Sequence, residues 1–221
     1  MKQISDKLKE FIIENSDLIN YNEFEKLYNN LFEAIRSGYF YDYTVVPQLT
    51  QVLLASGIEF LPYMKKIPTG CYGHLDIKTI DIPSNIIAIE PYAFSRCESL
   101  SEVNIADGVE ILKTGAFTGC LSLKTLTLPD SMTKVNLAAF VKSGLEELKL
   151  PHTLESINTT LAGCDKLKSI YLPKCKYIDE DLVRYCRRLE NIYFEGTEND
   201  WLYAFDGKLE DSVKIHFNVK Y

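Results

Sequence analysis

The chain has 221 residues, of which 46% are hydrophobic and 25% charged, and this composition excludes a disordered or collagen-like polymer. Its 24 lysines and arginines against 31 aspartates and glutamates give a formal net charge of −7, which disfavours binding to nucleic acid or anionic lipid. No apolar run approaches the roughly 18 residues of a membrane span, and the chain as given carries no signal sequence, so we expect no membrane span and a cytoplasmic location.

Residues 1–66 carry apolar side chains at helical spacing, which predicts a small helical N-terminal domain. One predicted helix contains Leu8, and a second runs from Phe24 to Ile35. Pro47 opens a third, which ends at Gly57. Between the second and third helices, residues 39–43 contain four aromatic side chains, which we interpret as a wedge against the next domain or, alternatively, as an exposed partner site.

Residues 67–221 form a second predicted domain because the sequence there repeats itself. Ile82 and Ile105 are 23 residues apart, whereas Leu128 and Leu150 are 22 apart. Five coils fit between Thr79 and Leu189. Further equivalent positions are Phe94 and Phe117, Cys97 and Cys120, Leu100 and Leu123, Leu145, Leu167 and Leu189, and Cys164 and Cys186.

Each coil begins with two apolar residues two positions apart, the period of a strand with one buried face. A second apolar pair follows on the next side, and a helical or 3₁₀ turn then carries Ala-Phe and Cys inward. One such coil cannot bury its own apolar edge, so the coils must stack into a solenoid with a parallel sheet along one face. The strand pairs are Ile80 and Ile82, Val103 and Ile105, Leu126 and Leu128, Leu148 and Leu150, Ile170 and Leu172, and Ile192 and Phe194. With the helical domain, this predicts an α+β protein.

The phrase Thr79-Ile80-Asp81-Ile82-Pro83, followed by Ala93-Phe94-Ser95-Arg96-Cys97-Glu98-Ser99-Leu100, resembles the repeat of the BspA-like leucine-rich repeat family. The resemblance covers roughly residues 67 to 205. It implies a binding protein that recognises another macromolecule, with a virion or cell surface as the alternative location. The departures are Leu161 and Val183 in place of Phe, Ser143 in place of Cys, and a last coil that we expect to slip so that Cys175 and Ile178 point inward.

The C-terminal end of the solenoid must be covered, because an open coil leaves apolar surface and an unpaired strand edge in water. Thr197 and the acidic residues after it predict the start of a short helix that places Trp201 and Phe205 on the last coil. A final alternating strand from Val213 to Val219 is expected to pair with the edge.

The short signatures of hydrolases, nucleotide enzymes and metalloenzymes are absent from the sequence, so we predict neither an enzyme nor a cofactor or metal site. Cys97 and Cys120 are expected to form one ladder of buried, reduced thiols, and Cys164 and Cys186 another, separated by Ser143. Basic residues between Lys166 and Arg188 are interrupted by carboxylates, which favours a solvated face over a phosphate-binding site.

Strand alternation assigns one residue per coil to the outer face of the sheet, and we predict that these residues bind another protein. The strongest contacts are expected at Tyr171 and Tyr193 with Lys149, because interface energy concentrates in desolvated aromatic side chains. The alternative is that the two tyrosines only stack on each other across the strands. The outward residues are Asp81, Asn104, Thr127, Lys149, Tyr171 and Tyr193, flanked by Thr79, Glu102, Thr125, Glu147, Ser169 and Asn191.

The sequence therefore favours a non-enzymatic protein-binding module that presents a rigid solenoid surface. The alternative is a structural or assembly component of a phage particle or cell-surface complex. Partner identity and oligomeric state stay open.

Overall fold

The computed structural model describes residues 50–51, 61, 64–158 and 161–221 of the chain. Most of the predicted helical domain, including the aromatic residues 39–43, lies outside these residues. Thr50 and Gln51 are helical, and the buried Thr50 hydroxyl lies 3.4 Å from the Cys71 sulfur, so this point of the chain packs against the first coil. No helix in the described part has the length and apolar character that crossing a membrane requires.

The predicted strands form one side of a solenoid, and every pairing between them is parallel. We call them the front strands, and they are β2 (Thr79–Ile82), β4 (Glu102–Ile105), β6 (Thr125–Thr127), β8 (Glu147–Lys149), β10 (Ser169–Leu172), β12 (Asn191–Phe194) and β13 (Lys214–His216). They form a two-stranded sheet, β2–β4, followed by a five-stranded sheet, β6–β8–β10–β12–β13.

The second apolar pair of each coil contributes to a two-residue strand on the next side of the solenoid. These side strands are β1 (Lys66–Ile67), β3 (Ala88–Ile89), β5 (Ile111–Leu112), β7 (Lys134–Val135), β9 (Ser156–Ile157) and β11 (Tyr177–Ile178). They also pair in parallel, in the orders β1–β3–β5–β7 and β9–β11. In the last coil Cys175 and Ile178 are buried, which confirms the predicted slip.

A ladder of stacked rings runs through the core behind the front and side strands. Phe94 lies between Tyr72 and Phe117, with ring centroids 4.9 and 5.1 Å away, and the stack continues 5.9 Å from Phe117 to Phe140. All four rings are buried. Leu161, which is buried, and Val183, which is partly buried, continue the position without a ring, as the sequence indicates, so the stack covers only the earlier coils.

The predicted cysteine ladder is buried, and each thiol has a structural partner. Cys97 and Cys120 donate to the carbonyls of Tyr72 and Phe94 in the preceding coil, over 3.0 and 3.2 Å. Cys164 donates in the same way to Phe140, over 3.1 Å. Burial raises the pKa of Cys97 to about 12, so this thiol stays protonated and unreactive at neutral pH.

The residue before each cysteine position takes a left-handed backbone conformation, which turns the chain toward the next front strand. Glycine adopts this conformation without strain, but Arg96 and Lys142 also adopt it, with φ of 56° and 55°. The full set is His74, Arg96, Gly119, Lys142, Gly163 and Tyr185.

The repeat shortens from 23 to 22 residues in the third coil, where Ser143-Gly144-Leu145 replaces the longer phrase Cys120-Leu121-Ser122-Leu123. Gly144 donates to the Cys120 carbonyl over 2.9 Å, and a Cβ at Gly144 would overlap the carbonyl oxygen of Leu121. Glycine is therefore required for this tight turn. The front strands change sheets just before it, between β4 and β6, and we call that junction the seam.

The C-terminal cap forms as the sequence predicts. Helix α1 (Glu198–Ala204) begins at Thr197, whose side chain accepts from the Asp200 amide while the Asp200 carboxylate accepts from the Thr197 amide. Trp201 is buried against Phe194, with ring centroids 5.4 Å apart, and Phe205 is buried beside it. The predicted final strand is shorter than expected, since only β13 pairs with β12.

Candidate functional site

The outward residues of the front strands fall into one column, as strand register predicts. Asp81 pairs with Asn104, and Thr127 aligns with Lys149, which aligns in turn with Tyr171. Tyr193 follows, and β13 extends the column with His216. We call this the front column. Its register is interrupted only at the seam, where no pairing joins Asn104 to Thr127.

The early end of the front column is polar and exposed. The Asn104 amide donates to the carboxylate of Asp81 over 2.8 Å and to that of Glu102 over 3.3 Å. Thr127, beyond the seam, is also exposed. This end offers hydrogen-bonding groups and negative charge but no aromatic surface.

The late end of the front column is aromatic and half-buried. The rings of Tyr171 and Tyr193 stack with centroids 4.5 Å apart, and His216 stacks on Tyr193 at 4.6 Å. The Lys149 ammonium lies 5.0 Å from the centroid of the Tyr171 ring. Burial, with the nearby Glu147 carboxylate, raises the pKa of Tyr171, so its hydroxyl stays protonated. The stack that the alternative interpretation expects is thus present.

Tyr221 also belongs to the aromatic end, which the sequence did not indicate. Its ring packs edge-on against Tyr171, with centroids 5.1 Å apart, and stacks on the His152 ring at 4.7 Å. Its hydroxyl donates to the Leu150 carbonyl over 3.0 Å, and burial raises its pKa. His152 is held by the Glu195 carboxylate and by the Tyr221 backbone oxygen. Tyr221 lies outside the repeats, so no periodic signal could have found its contacts.

Four of the seven basic residues between Lys166 and Arg188 contact carboxylates. Lys168 contacts Glu146 at 2.9 Å, which lowers the pKa of that exposed carboxyl. The other pairs are Lys176 with Glu155, Lys174 with Asp200 and Arg184 with Asp181. This pairing favours the solvated face that the sequence predicts, because carboxylates already match four of the seven positive charges.

Within residues 50–51, 61, 64–158 and 161–221, no three histidine, cysteine or acidic side chains are grouped as a metal site would require. Two of the three histidines instead take structural positions. His216 lies 2.9 Å from the Asn191 side-chain oxygen, and His152 lies against Tyr221.

Solved structures of leucine-rich repeat proteins resemble this chain. One from T. pallidum is 23% identical, with a TM-score of 0.52, and the match covers 58% of this chain and 65% of that one. One from Bacteroides ovatus is 24% identical, with a TM-score of 0.46 and coverages of 70% and 49%. The pneumococcal vaccine antigen PcpA is 16% identical, with a TM-score of 0.49 and coverages of 69% and 44%. The chain therefore spans between about half and two thirds of the first two proteins.

No curated protein matches the chain. A family model does match: that of the BspA type leucine-rich repeat region, in 6 copies over residues 65–190. This match spans more than half of the chain, and its repeats are the stacked coils described above. The chain belongs to the BspA-type leucine-rich repeat family.

Proposed function

We propose that the chain is a non-enzymatic protein-binding module that contacts another protein through the aromatic end of its front column. The observation that carries the proposal is the cluster of Tyr171, Tyr193 and Lys149, half-buried on a face whose backbone is held by parallel strands. Aromatic side chains with fixed orientation lose little entropy when a partner covers them.

The buried core supports this proposal because it keeps the surface rigid. Stacked rings and buried thiols leave the coils no freedom to shift past one another without breaking contacts. Family membership adds that related chains are mostly binding proteins. We place the module in the cytoplasm, with a virion or cell surface as the second location.

The test is capture of a partner from an extract of the native host by the immobilised full chain. Tyr171→Ala with Tyr193→Ala should reduce capture at least about tenfold, since each hot-spot residue contributes about 2 kcal/mol or more. The fold should survive, because a cross-strand pair contributes only about 0.2 to 1 kcal/mol.

The matched control replaces two exposed tyrosines elsewhere, Tyr92→Ala with Tyr185→Ala, and should leave capture unchanged. Undiminished capture by the Tyr171 and Tyr193 variant would refute the proposed site, and residues 39–43 would be tested next.

An assembly component is the second candidate, and a separate observation favours it. Leu202 and Tyr203 on α1 are 70% and 84% exposed, which is unusual for large apolar side chains on a helix that caps a solenoid. If this surface joins copies of the chain, Leu202→Ser with Tyr203→Ser should convert an oligomer to a monomer in light scattering. A wild-type monomer at every concentration would exclude self-assembly.

A further inference from the structure

The seam between β4 and β6 lacks hydrogen bonds that the other front junctions have. At four other front junctions two successive amides donate to one carbonyl of the preceding coil, for example Ser101 and Glu102 to Lys78, and Glu146 and Glu147 to Lys124. The pattern recurs at the Glu146 and Lys168 carbonyls.

At the seam the corresponding carbonyl is that of Ser101, and neither Lys124 nor Thr125 donates to it. One backbone acceptor and two backbone donors are therefore left for another partner. The side strands stay joined behind the seam, where Ile111 pairs with Lys134.

A cleft of about 610 Å³ lies on the seam. Val103 and Leu126 form an apolar floor, and both are largely buried. The rim is polar and includes Asp81, Glu102 and Thr125. The cleft thus combines a shallow apolar base with unpaired backbone groups at its edge.

The charge of the cleft selects the kind of partner. Its lining contains two carboxylates, those of Asp81 and Glu102, and no lysine, arginine or histidine. In the described part of the chain neither carboxylate has a cationic partner, whereas Glu90 and Glu146 each contact lysine within 3 Å. The cleft therefore offers acceptors and negative charge that the chain itself does not neutralise.

We propose that the seam binds an arginine side chain on an extended segment of the partner protein, an inference that rests on the proposed binding function. A guanidinium has five donors and no acceptor, which suits two carboxylates and the Ser101 carbonyl. Its methylene stem covers the floor of Val103 and Leu126. The free amides of Lys124 and Thr125 are placed to donate to carbonyls of the segment.

The probe is the peptide acetyl-Gly-Arg-Gly-Arg-Gly-amide, titrated into the ¹⁵N-labelled full chain and followed by NMR. The expected result is that the amide signals of Glu102, Lys124 and Thr125 shift, with little change at Tyr171 and Tyr193. The peptide in which citrulline replaces arginine has the same shape without the charge and should not bind.

Two variants separate the seam from general attraction to an acidic protein. Asp81→Asn with Glu102→Gln should weaken peptide binding at least about tenfold, because charge-assisted hydrogen bonds are lost. Asp211→Asn with Glu155→Gln removes the same charge at exposed positions outside the cleft and the front column, and should change the affinity less than about twofold. Circular dichroism checks that both variants fold.

Equal weakening by the two variants, or no shift of the seam signals, would overturn the inference. If calcium chloride shifts the seam amide signals and the peptide does not, the seam is a metal-cation site and not an arginine site, and the inference is also overturned. The Tyr171→Ala, Tyr193→Ala variant should bind the peptide normally. If that variant loses partner capture and the peptide does not bind the wild-type chain, the seam inference is refuted while the proposed function stays intact.

Discussion

The two ends of the front column are built from the same repeat but present different surfaces. At β2 and β4 the outward residues Asp81 and Asn104 are exposed and hydrogen-bond to each other, and the coils have 23 residues. From β6 onward the coils have 22 residues, and Tyr171 and Tyr193 stack on each other, with Tyr221 packed against Tyr171. Inward positions determine the fold and outward positions are free to differ, so one solenoid can carry a polar surface and an aromatic one.

The cores behind the two ends of the front column also differ. The substitution with the largest expected loss of stability tests this difference. Phe117 lies between two stacked rings, whereas Leu161 fills the equivalent position later in the chain. Phe117→Ala should lower the free energy of unfolding by about 3 to 5 kcal/mol, because it leaves a cavity in a close-packed stack. Urea denaturation followed by circular dichroism measures the loss.

The control is Phe117→Leu, which installs the residue type of the later coil and should cost clearly less than Phe117→Ala, because leucine fills part of the cavity. A loss below about 1 kcal/mol for Phe117→Ala would mean that the ring stack contributes little to the early coils.

The change in coil length depends on Gly144, and replacing this glycine should give the next largest loss of stability. Gly144→Ala should cost about 2 to 3 kcal/mol, because the new Cβ meets the Leu121 carbonyl, a backbone atom that cannot rotate away. Gly70→Ala is the control. It has open space around the Cβ and only a left-handed φ of 65°, so it should cost about 1 kcal/mol. The prediction is wrong if Gly144→Ala is the milder change.

Backbone protection should differ between the seam and the later junctions. Among the described residues, the amides of Lys124 and Thr125 have no carbonyl partner, whereas those of Glu146 and Glu147 donate to Lys124 over 2.7 and 3.1 Å. Hydrogen exchange should therefore be at least about tenfold faster at Lys124 and Thr125, after correction for local sequence. Equal protection at both junctions would show that the front strands form one continuous sheet in solution.

The smallest expected loss of stability concerns the C-terminal cap, which covers only the aromatic end of the front column. The Lys174 ammonium and the Thr197 donors lower the pKa of Asp200 to about 2, below the ordinary aspartate value of about 3.9. A lowered pKa stabilises the fold above the ordinary value, and this contribution is lost as the pH falls from about 4 to about 2.

Asp200→Asn should therefore reduce the urea midpoint at pH 7, and the difference from wild type should shrink toward pH 2. Glu198→Gln removes a charge from the same helical turn without touching the capping box and should show a smaller effect at pH 7. If the difference in urea midpoint between Asp200→Asn and wild type stays constant from pH 7 to pH 2, the carboxylate is excluded as its cause.

Local patterns predicted the parts of the structure that repeat. The spacing of Ile80 and Ile82, and of Cys97 and Cys120, placed these residues correctly, because equivalent residues of adjacent coils meet at a constant offset. The cap was predicted for a related reason. The contacts of Thr197 with Asp200 lie within one turn of helix and need no information from the rest of the chain.

The sequence by itself therefore determined which residues face inward, how the coils stack, and the order of residues along the front column. The seam and the Tyr221 contacts were decided only by the tertiary structure. Tyr221 reaches Leu150 across 71 positions, and the repeat does not mark the seam, because β4 and β6 are offset by 23 residues just as the paired strands β2 and β4 are. A repeat specifies contacts at one fixed separation, so contacts at any other separation arise only when the stacked coils bring those residues together.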